Sequence, residues 1–306
     1  MKRASPHKPV MVNEVIEFLQ LKNGYKVLDA TVGCGGHAGF ILQKILPGGL
    51  LIGIDRDKKS LEIARNYLRP HDKTYRLVQA NFKDIDKTLG NLGIEKIDAA
   101  LFDLGLSSYQ IEDPSRGFSF KGDGYLDMRM DPSQNLSAYD IVNRGKREDL
   151  ERIIRDFGEE RYFRRLTDFI LDRRKKAALT STSELADLIK KAVGRRYASQ
   201  RIHPATRTFQ ALRIAVNREL DNLDEVLGKV LGFLGPGARL SVISYHSLED
   251  RIVKTRFKEF EKVGEGRILT KKPLTPGAEE IRENPRSRSA KLRAFSAFAK
   301  GEIHSR

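Results

Sequence analysis

Apolar residues along this chain follow two alternating rhythms. Short runs rich in β-branched residues predict strands at 26–30, 50–55, 75–79, 97–103 and 239–244, whereas i, i+3, i+4 spacing predicts helices at 38–46 and 58–68. Strands alternating with helices indicate βαβ units and a doubly wound, parallel α/β sheet. The rhythm breaks once: about 130 residues separate the fourth and fifth strands, where a crossover with its helix needs about 30. The surplus opens on the glycine- and aromatic-bearing stretch from Arg116 to Gly124 and continues into helical patterns near 147–158, 160–176 and 183–193. It reads as an inserted, mainly helical domain at 112–205 within a core made of 1–111 and 206–306. Leaving from the carboxyl end of a strand, it is expected beside the crevice where open α/β sheets bind ligands. An apolar run at 294–299 predicts a last strand.

Charge narrows the partners. There are 56 Lys and Arg against 41 Asp and Glu, a net charge of +15, which favours polyanions without choosing between nucleic acid and anionic lipid. From Leu188 to Arg218 the chain carries Lys190, Lys191, Arg195, Arg196, Arg201, Arg207, Arg213 and Arg218 and no acid, so a phosphate-facing role is expected there. A second basic stretch holds Arg286, Arg288, Lys291 and Arg293. No segment approaches the roughly 18 apolar residues of a membrane span. Cys34 is the only cysteine, which excludes an intrachain disulfide and suits a reducing compartment. The expectation is a soluble, cytoplasmic protein in which Cys34 is a small packing residue.

Candidate chemistry gathers at the strand ends. The first strand runs through Asp29 into Gly33, Gly35, Gly36 and His37, a loop that lets backbone approach a ligand. The same glycines also satisfy the degenerate dinucleotide pattern, so a nicotinamide cofactor stays open at this point. Asp29 favours a cationic ligand such as the amino-acid end of S-adenosylmethionine, because a pyrophosphate there would be repelled. Asp55, ending the second strand, can accept the ribose hydroxyls of either cofactor. Phe82 follows the third strand and either borders an adenine or belongs to the core. Asp103 ends the fourth strand and Tyr245 with His246 follow the fifth, making these three the catalytic candidates. Ser247 and Asp250 are spaced as a capping box. No metal-ligand set is expected. A noncatalytic RNA-binding factor with a degenerate pocket is the other rival reading, and the intact Asp55 and Asp103 argue against it.

Taken together, the segments resemble the bacterial RsmH (MraW) family of 16S rRNA cytosine-N4 methyltransferases. The resemblance rests on His7 to Met11, Asp29-Ala30-Thr31, Gly35-Gly36-His37, Asp103-Leu104-Gly105, Arg116 to Phe120, Leu126 to Met130, His203 to Arg213, His246 to Arg251 and Asn284 to Arg293. These blocks run from end to end in one order. The resemblance implies a Rossmann-like class I methyltransferase fold and transfer of a methyl group from S-adenosylmethionine to N4 of a cytidine in the decoding region of 16S rRNA. It implies cofactor contacts at Gly35, Gly36, His37, Asp55, Phe82, Asp103 and Gln110, to which the reading of the residues adds Asp29 and Gly33. The implied partner is 16S rRNA within the small ribosomal subunit, and a homodimer stays open. RNA contacts are expected at Arg195, Arg196, Arg201 and Arg207. Ala38, Tyr125 and Tyr245 depart from the family's usual Ser, Pro and Phe. The Pro-Pro-Tyr signature of many amino-methyltransferases is absent, so no catalytic role is carried over from those enzymes.

Overall fold

The computed structural model describes residues 8–197 and 202–298, which divide into two units: the chain up to Ser107 together with Leu220 onward, and Ser108–Glu219. The first unit is built on a seven-stranded sheet. Its strands are β1 (Lys26–Asp29), β2 (Leu50–Asp55), β3 (Tyr75–Gln79), β4 (Ile97–Asp103), β5 (Leu234–Ser244), β6 (Gly266–Ile268) and β7 (Lys291–Ala297). They lie in the order β3-β2-β1-β4-β5-β7-β6. The first five are parallel, and β7 runs antiparallel between β5 and β6.

Alternation along the strands feeds two apolar layers. Leu28, Ile52, Ile54, Ala100 and Phe102 point to one face, where they meet Ile85 and Leu89 of α4 (Ile85–Asn91), Leu223, Val226 and Leu227 of α11 (Glu219–Val230), and Val253 and Phe257 of α12 (Ser247–Lys262). Val27, Leu51, Ala99 and Leu101 point to the other, against Val15 and Leu19 of α1 (Val12–Leu19), Ile41, Leu42 and Ile45 of α2 (Gly36–Ile45), and Leu61 and Leu68 of α3 (Lys58–Leu68). Burial on both faces is why these strands read as nearly unbroken apolar runs. The doubly wound expectation therefore holds, with β2, β3 and β4 at the expected residues. No helix among the described residues is long and apolar enough to cross a membrane.

Several boundaries differ from the sequence reading. β5 starts at Leu234 instead of 239, because Leu234 already pairs with Ile97 ahead of a register shift. The last strand is Lys291–Ala297 rather than 294–299, since Lys291 is in register with Ser244. The capping box of α12 is His246 with Glu249, one residue before the expected Ser247 and Asp250. Asp250 instead grips Arg293 of β7 through two hydrogen bonds of 2.7 and 3.2 Å.

The second unit holds α5 (Ser108–Glu112), α6 (Ala138–Arg144), α7 (Arg147–Arg152), α8 (Phe163–Lys176), α9 (Thr182–Val193) and α10 (Thr206–Asn217). Its own core includes Leu126, Ile141, Ile154, Leu166, Ile170, Leu185, Ile189, Phe209 and Leu212. Because Phe209, Ala211, Leu212 and Val216 of α10 are buried in that core, the unit extends to Glu219, beyond the expected limit at 205. The helical pattern at 147–158 resolves into α7 and a π-helical turn at Ile153–Phe157. That at 160–176 starts only at Phe163, after Glu159 turns the chain with φ 47°. Phe118 and Phe120 pack against this core, and Phe120 stacks on His203 at 4.6 Å.

Candidate active site

The site is assembled at the carboxyl ends of β1, β2, β4 and β5. After Asp29 the chain turns through Gly33 (φ 50°) and Gly35 (φ 89°), left-handed conformations that favour glycine. At Gly35 a Cβ would also lie 3.3 Å from the Tyr67 ring, so the turn is tight against α3. Neighbouring strands fix the loop: the Val32 amide donates to Ile54 O (2.9 Å) and the Gly33 amide to Asp55 Oδ2 (2.9 Å). Asp55 Oδ1 accepts the Asp57 amide (2.8 Å). A carboxylate offers about four lone-pair positions, so each oxygen of Asp55 keeps capacity for a ligand hydroxyl.

Asp29 is fully buried, and its Oδ1 accepts the Thr31 amide at 3.3 Å. Among the described residues its Oδ2 has no hydrogen-bond partner. Burial pushes its carboxyl up to about 8, with the charges of Asp103 and Asp55 adding to the effect. Asp55 is pushed up to about 6, chiefly by burial and also by Asp57. Two carboxyls raised in this way, one with an orphaned oxygen, are groups that a nearby positive charge would stabilise in their ionised form. They fit the sulfonium and ammonium of S-adenosylmethionine and the hydroxyls of its ribose, and they are a poor match to a pyrophosphate. Cys34 is buried in the same loop and its thiol is pushed up to about 11 by burial, which leaves it a packing residue.

Asp103 is held from several sides. Its amide donates to Thr31 Oγ1 (2.7 Å), and the Tyr245 phenol donates to its Oδ1 (2.7 Å). His37 Nδ1 lies 3.4 Å from its Oδ2. Tyr245 is anchored by its amide, which donates to Glu249 Oε2 (2.8 Å). Burial, reinforced by Asp103, raises the Tyr245 phenol well above its ordinary range, so it is a proton donor and not a base. Gly105 (φ 115°) passes close to that ring, where a Cβ would be 3.2 Å away. His246 serves as the N-cap of α12, its Nδ1 accepting the Glu249 amide at 3.3 Å. Phe82 is half-buried, packs against the core and meets Phe102 edge-on at 6.1 Å. Sequence reasoning missed Thr31, whose partner is 72 residues away, and Glu249, whose part depends on where α12 starts.

A model of the MraW methylase family matches residues 4–298. The chain belongs to the MraW methylase family. A Persephonella marina protein named ribosomal RNA small subunit methyltransferase H is 48% identical over 287 residues, covering 94% of this chain and 97% of that protein. A Geobacter sulfurreducens protein of the same name is 46% identical over 303 residues, with coverage of 94% and 97%. Among solved structures, an rRNA methylase from Streptococcus thermophilus is 11% identical, covering 97% of this chain and 99% of that one, with a TM-score of 0.44. In this MraW-family chain β7 enters the sheet antiparallel beside β5.

The remaining expected site residues belong to the second unit. Gln110 is buried in α5. Arg201 lies outside the described residues, as do the side chains of Arg195 and Arg196. Arg207 donates to Glu159 O (3.0 Å). Arg213, part of the expected phosphate-facing stretch, instead makes a two-pronged pair with Glu219 at 2.9 and 2.8 Å. A basic aromatic surface that the charge pattern did not single out lies at the start of α8. There Arg155 and Arg164 sit over the Phe163 ring at 5.6 and 5.3 Å, and Arg161 is exposed beside them. Among the described residues Arg161 and Arg164 form no ion pair.

Proposed function

We propose that this chain transfers a methyl group from S-adenosylmethionine to the N4 amine of a cytidine in the decoding region of 16S rRNA, in the bacterial cytoplasm. The observation that carries the reading is the buried Asp29 carboxyl, with its orphaned oxygen, beside Asp55 and Asp103 at the glycine turn. A cationic nucleoside fits that cluster, and family membership supports a methylase. The names of the relatives support small-subunit rRNA as the substrate.

The cofactor supplies an electrophilic methyl on a cationic sulfur. N4 of cytosine is a weak nucleophile because its lone pair is delocalised into the ring, so alignment must provide much of the rate. Asp55 takes the ribose, and Asp29 faces the cationic end. Asp103, fixed by Thr31 and Tyr245, is the acceptor for an N4 hydrogen as positive charge develops on the amine. The Tyr245 phenol keeps Asp103 turned, and His246 with Glu249 sets the helix start behind Tyr245. The base must leave its stack to reach these groups. The second unit is the substrate-recognition domain in this reading. Its RNA contacts include Arg207 and the Arg161, Phe163 and Arg164 surface, along with Arg195, Arg196 and Arg201.

The test is methyl transfer from labelled S-adenosylmethionine to small ribosomal subunits and to free 16S rRNA, followed by mass spectrometry of the digested nucleosides. N4-methylcytidine is the expected product. Label in another nucleoside, or in protein alone, overturns the assignment.

A further inference from the structure

The amino-terminal residues Lys8 to Met11 play no part in the chemistry described so far, yet the Val10 backbone reaches the site. His37 is buried, and its Nε2 lies 2.9 Å from the carbonyl oxygen of Val10. A carbonyl oxygen can only accept, so Nε2 must carry a hydrogen. The other ring nitrogen, Nδ1, faces Asp103 Oδ2 at 3.4 Å. Were Nδ1 bare and Asp103 ionised, a lone pair would confront a carboxylate oxygen with no hydrogen between them. The contact is attractive only if a second hydrogen occupies that gap, on the nitrogen or on the oxygen.

The Val10 carbonyl is itself held by a distant part of the chain. Met11 adopts a left-handed backbone conformation (φ 53°), uncommon for a side chain of its kind. Its amide donates to Glu280 Oε1 (2.7 Å) from α13 (Ala278–Glu283). Asn284 donates to Lys8 O (3.1 Å), and Lys8 pairs with Glu283. Pro9 packs so closely on Gly36 that a Cβ there would be 3.3 Å away. Two blocks far apart in sequence thus clamp one carbonyl against one imidazole.

We infer that His37 is a positioning residue for Asp103, held as its Nε2–H form by the Val10 carbonyl and sharing a second hydrogen with Asp103, and that Glu280 acts through this clamp. The inference rests on the reading of Asp103 given above, but the hydrogen positions can be tested without any substrate. With the Tyr245 phenol on the opposite oxygen, both carboxylate oxygens of Asp103 then face donors, which fixes the rotation of the group toward the amine it serves. The charge beside this imidazole is Asp103, which in turn interacts with Asp29 and with Tyr245, and Glu249 and Glu280 act on the Tyr245 phenol.

The experiment is nitrogen-15 NMR of the histidine rings in the full-length protein, assigned with His37→Gln. The wild type should show a hydrogen on Nε2 of His37. In Asp103→Asn the amide can donate to a bare Nδ1, so the ring should change from a shared-hydrogen signature to the neutral Nε2–H form. A neutral ring with its hydrogen on Nδ1 and a bare Nε2 in the wild type overturns the inference, whatever the enzyme methylates. Glu280→Ala provides the second arm, because Glu280 touches neither cofactor nor substrate in this reading. It should leave S-adenosylmethionine affinity unchanged, shift the His37 ring signals and lower kcat about 3- to 10-fold, the range for losing one hydrogen bond. A folded Glu280→Ala protein with unaltered ring signals and kcat would remove the clamp from the mechanism.

Discussion

At the residue scale, the carboxyl cluster has a thermodynamic signature. Asp29 and Asp55 are pushed up to about 8 and about 6, so the folded protein holds protons that the unfolded chain has already released. Stability of the free protein should therefore fall as pH rises from the ordinary carboxylate range through about 6 and on through about 8. A bound cation reverses this, because positive charge beside Asp29 favours its ionised form and releases its proton. We expect calorimetric titration of S-adenosylmethionine near pH 7 to show net proton release in buffers of different ionisation enthalpy. Release should be smaller for S-adenosylhomocysteine, whose sulfur is neutral. Binding enthalpies that do not depend on the buffer would count against Asp29 as the cation receptor.

At the scale of elements, α8 illustrates how a run of basic residues is divided between scaffold and surface. Arg173 pairs with Glu184 and Lys175 with Asp172, while Arg174 donates to the carbonyls of Val142 and Gly145. Arg173 and Arg174 thereby link α8 to neighbouring elements of the second unit, whereas the Lys175 pair lies within the helix. Arg161 and Arg164 near the other end, with the Arg155 and Arg164 guanidinium groups close to the Phe163 ring, place positive charge beside an aromatic, the combination that single-stranded RNA uses. Replacing Arg161, Arg164 and Arg207 together by Gln should weaken RNA binding and reduce the slope of log K against log salt by about 0.7 per lost phosphate contact. S-adenosylmethionine affinity should stay constant. Filter binding at several salt concentrations reads the slope, and an unchanged slope in a protein with an unchanged melt would take this surface out of the RNA path.

At the scale of the molecule, the first unit closes only when the last part of the chain returns. β7 lies between β5 and β6, and its Phe295 is fully buried against Phe257 (5.4 Å) and Phe260 (5.7 Å). Phe295→Ala should cost about 3–5 kcal/mol through lost burial and the cavity left behind. Urea unfolding of the wild-type and variant proteins measures it, and a loss below about 1 kcal/mol would mean that the site collapses around the gap. The sheet that positions Asp29, Asp55 and Asp103 thus depends on a strand nearly 200 residues after the last of them.

The sequence alone determined β2, β3 and β4, the helix 58–68, the existence of an inserted helical unit and the carboxylates at the strand ends. Those features come from local periodicity and from glycines that only a turn requires, so they are written where they act. Other features were decided by the tertiary structure. The start of β5 depends on a partner strand, the end of the second unit on which core buries α10, and the capping box on where β5 hands over to α12. Arg213 looked available for phosphate because its carboxylate, Glu219, falls just outside the acid-free stretch. Thr31 with Asp103, and Val10 with His37, are pairings whose members are adjacent only after the sheet forms. A periodic pattern records which face a residue buries; the atom it meets is set by the register and crossing of elements distant in the chain.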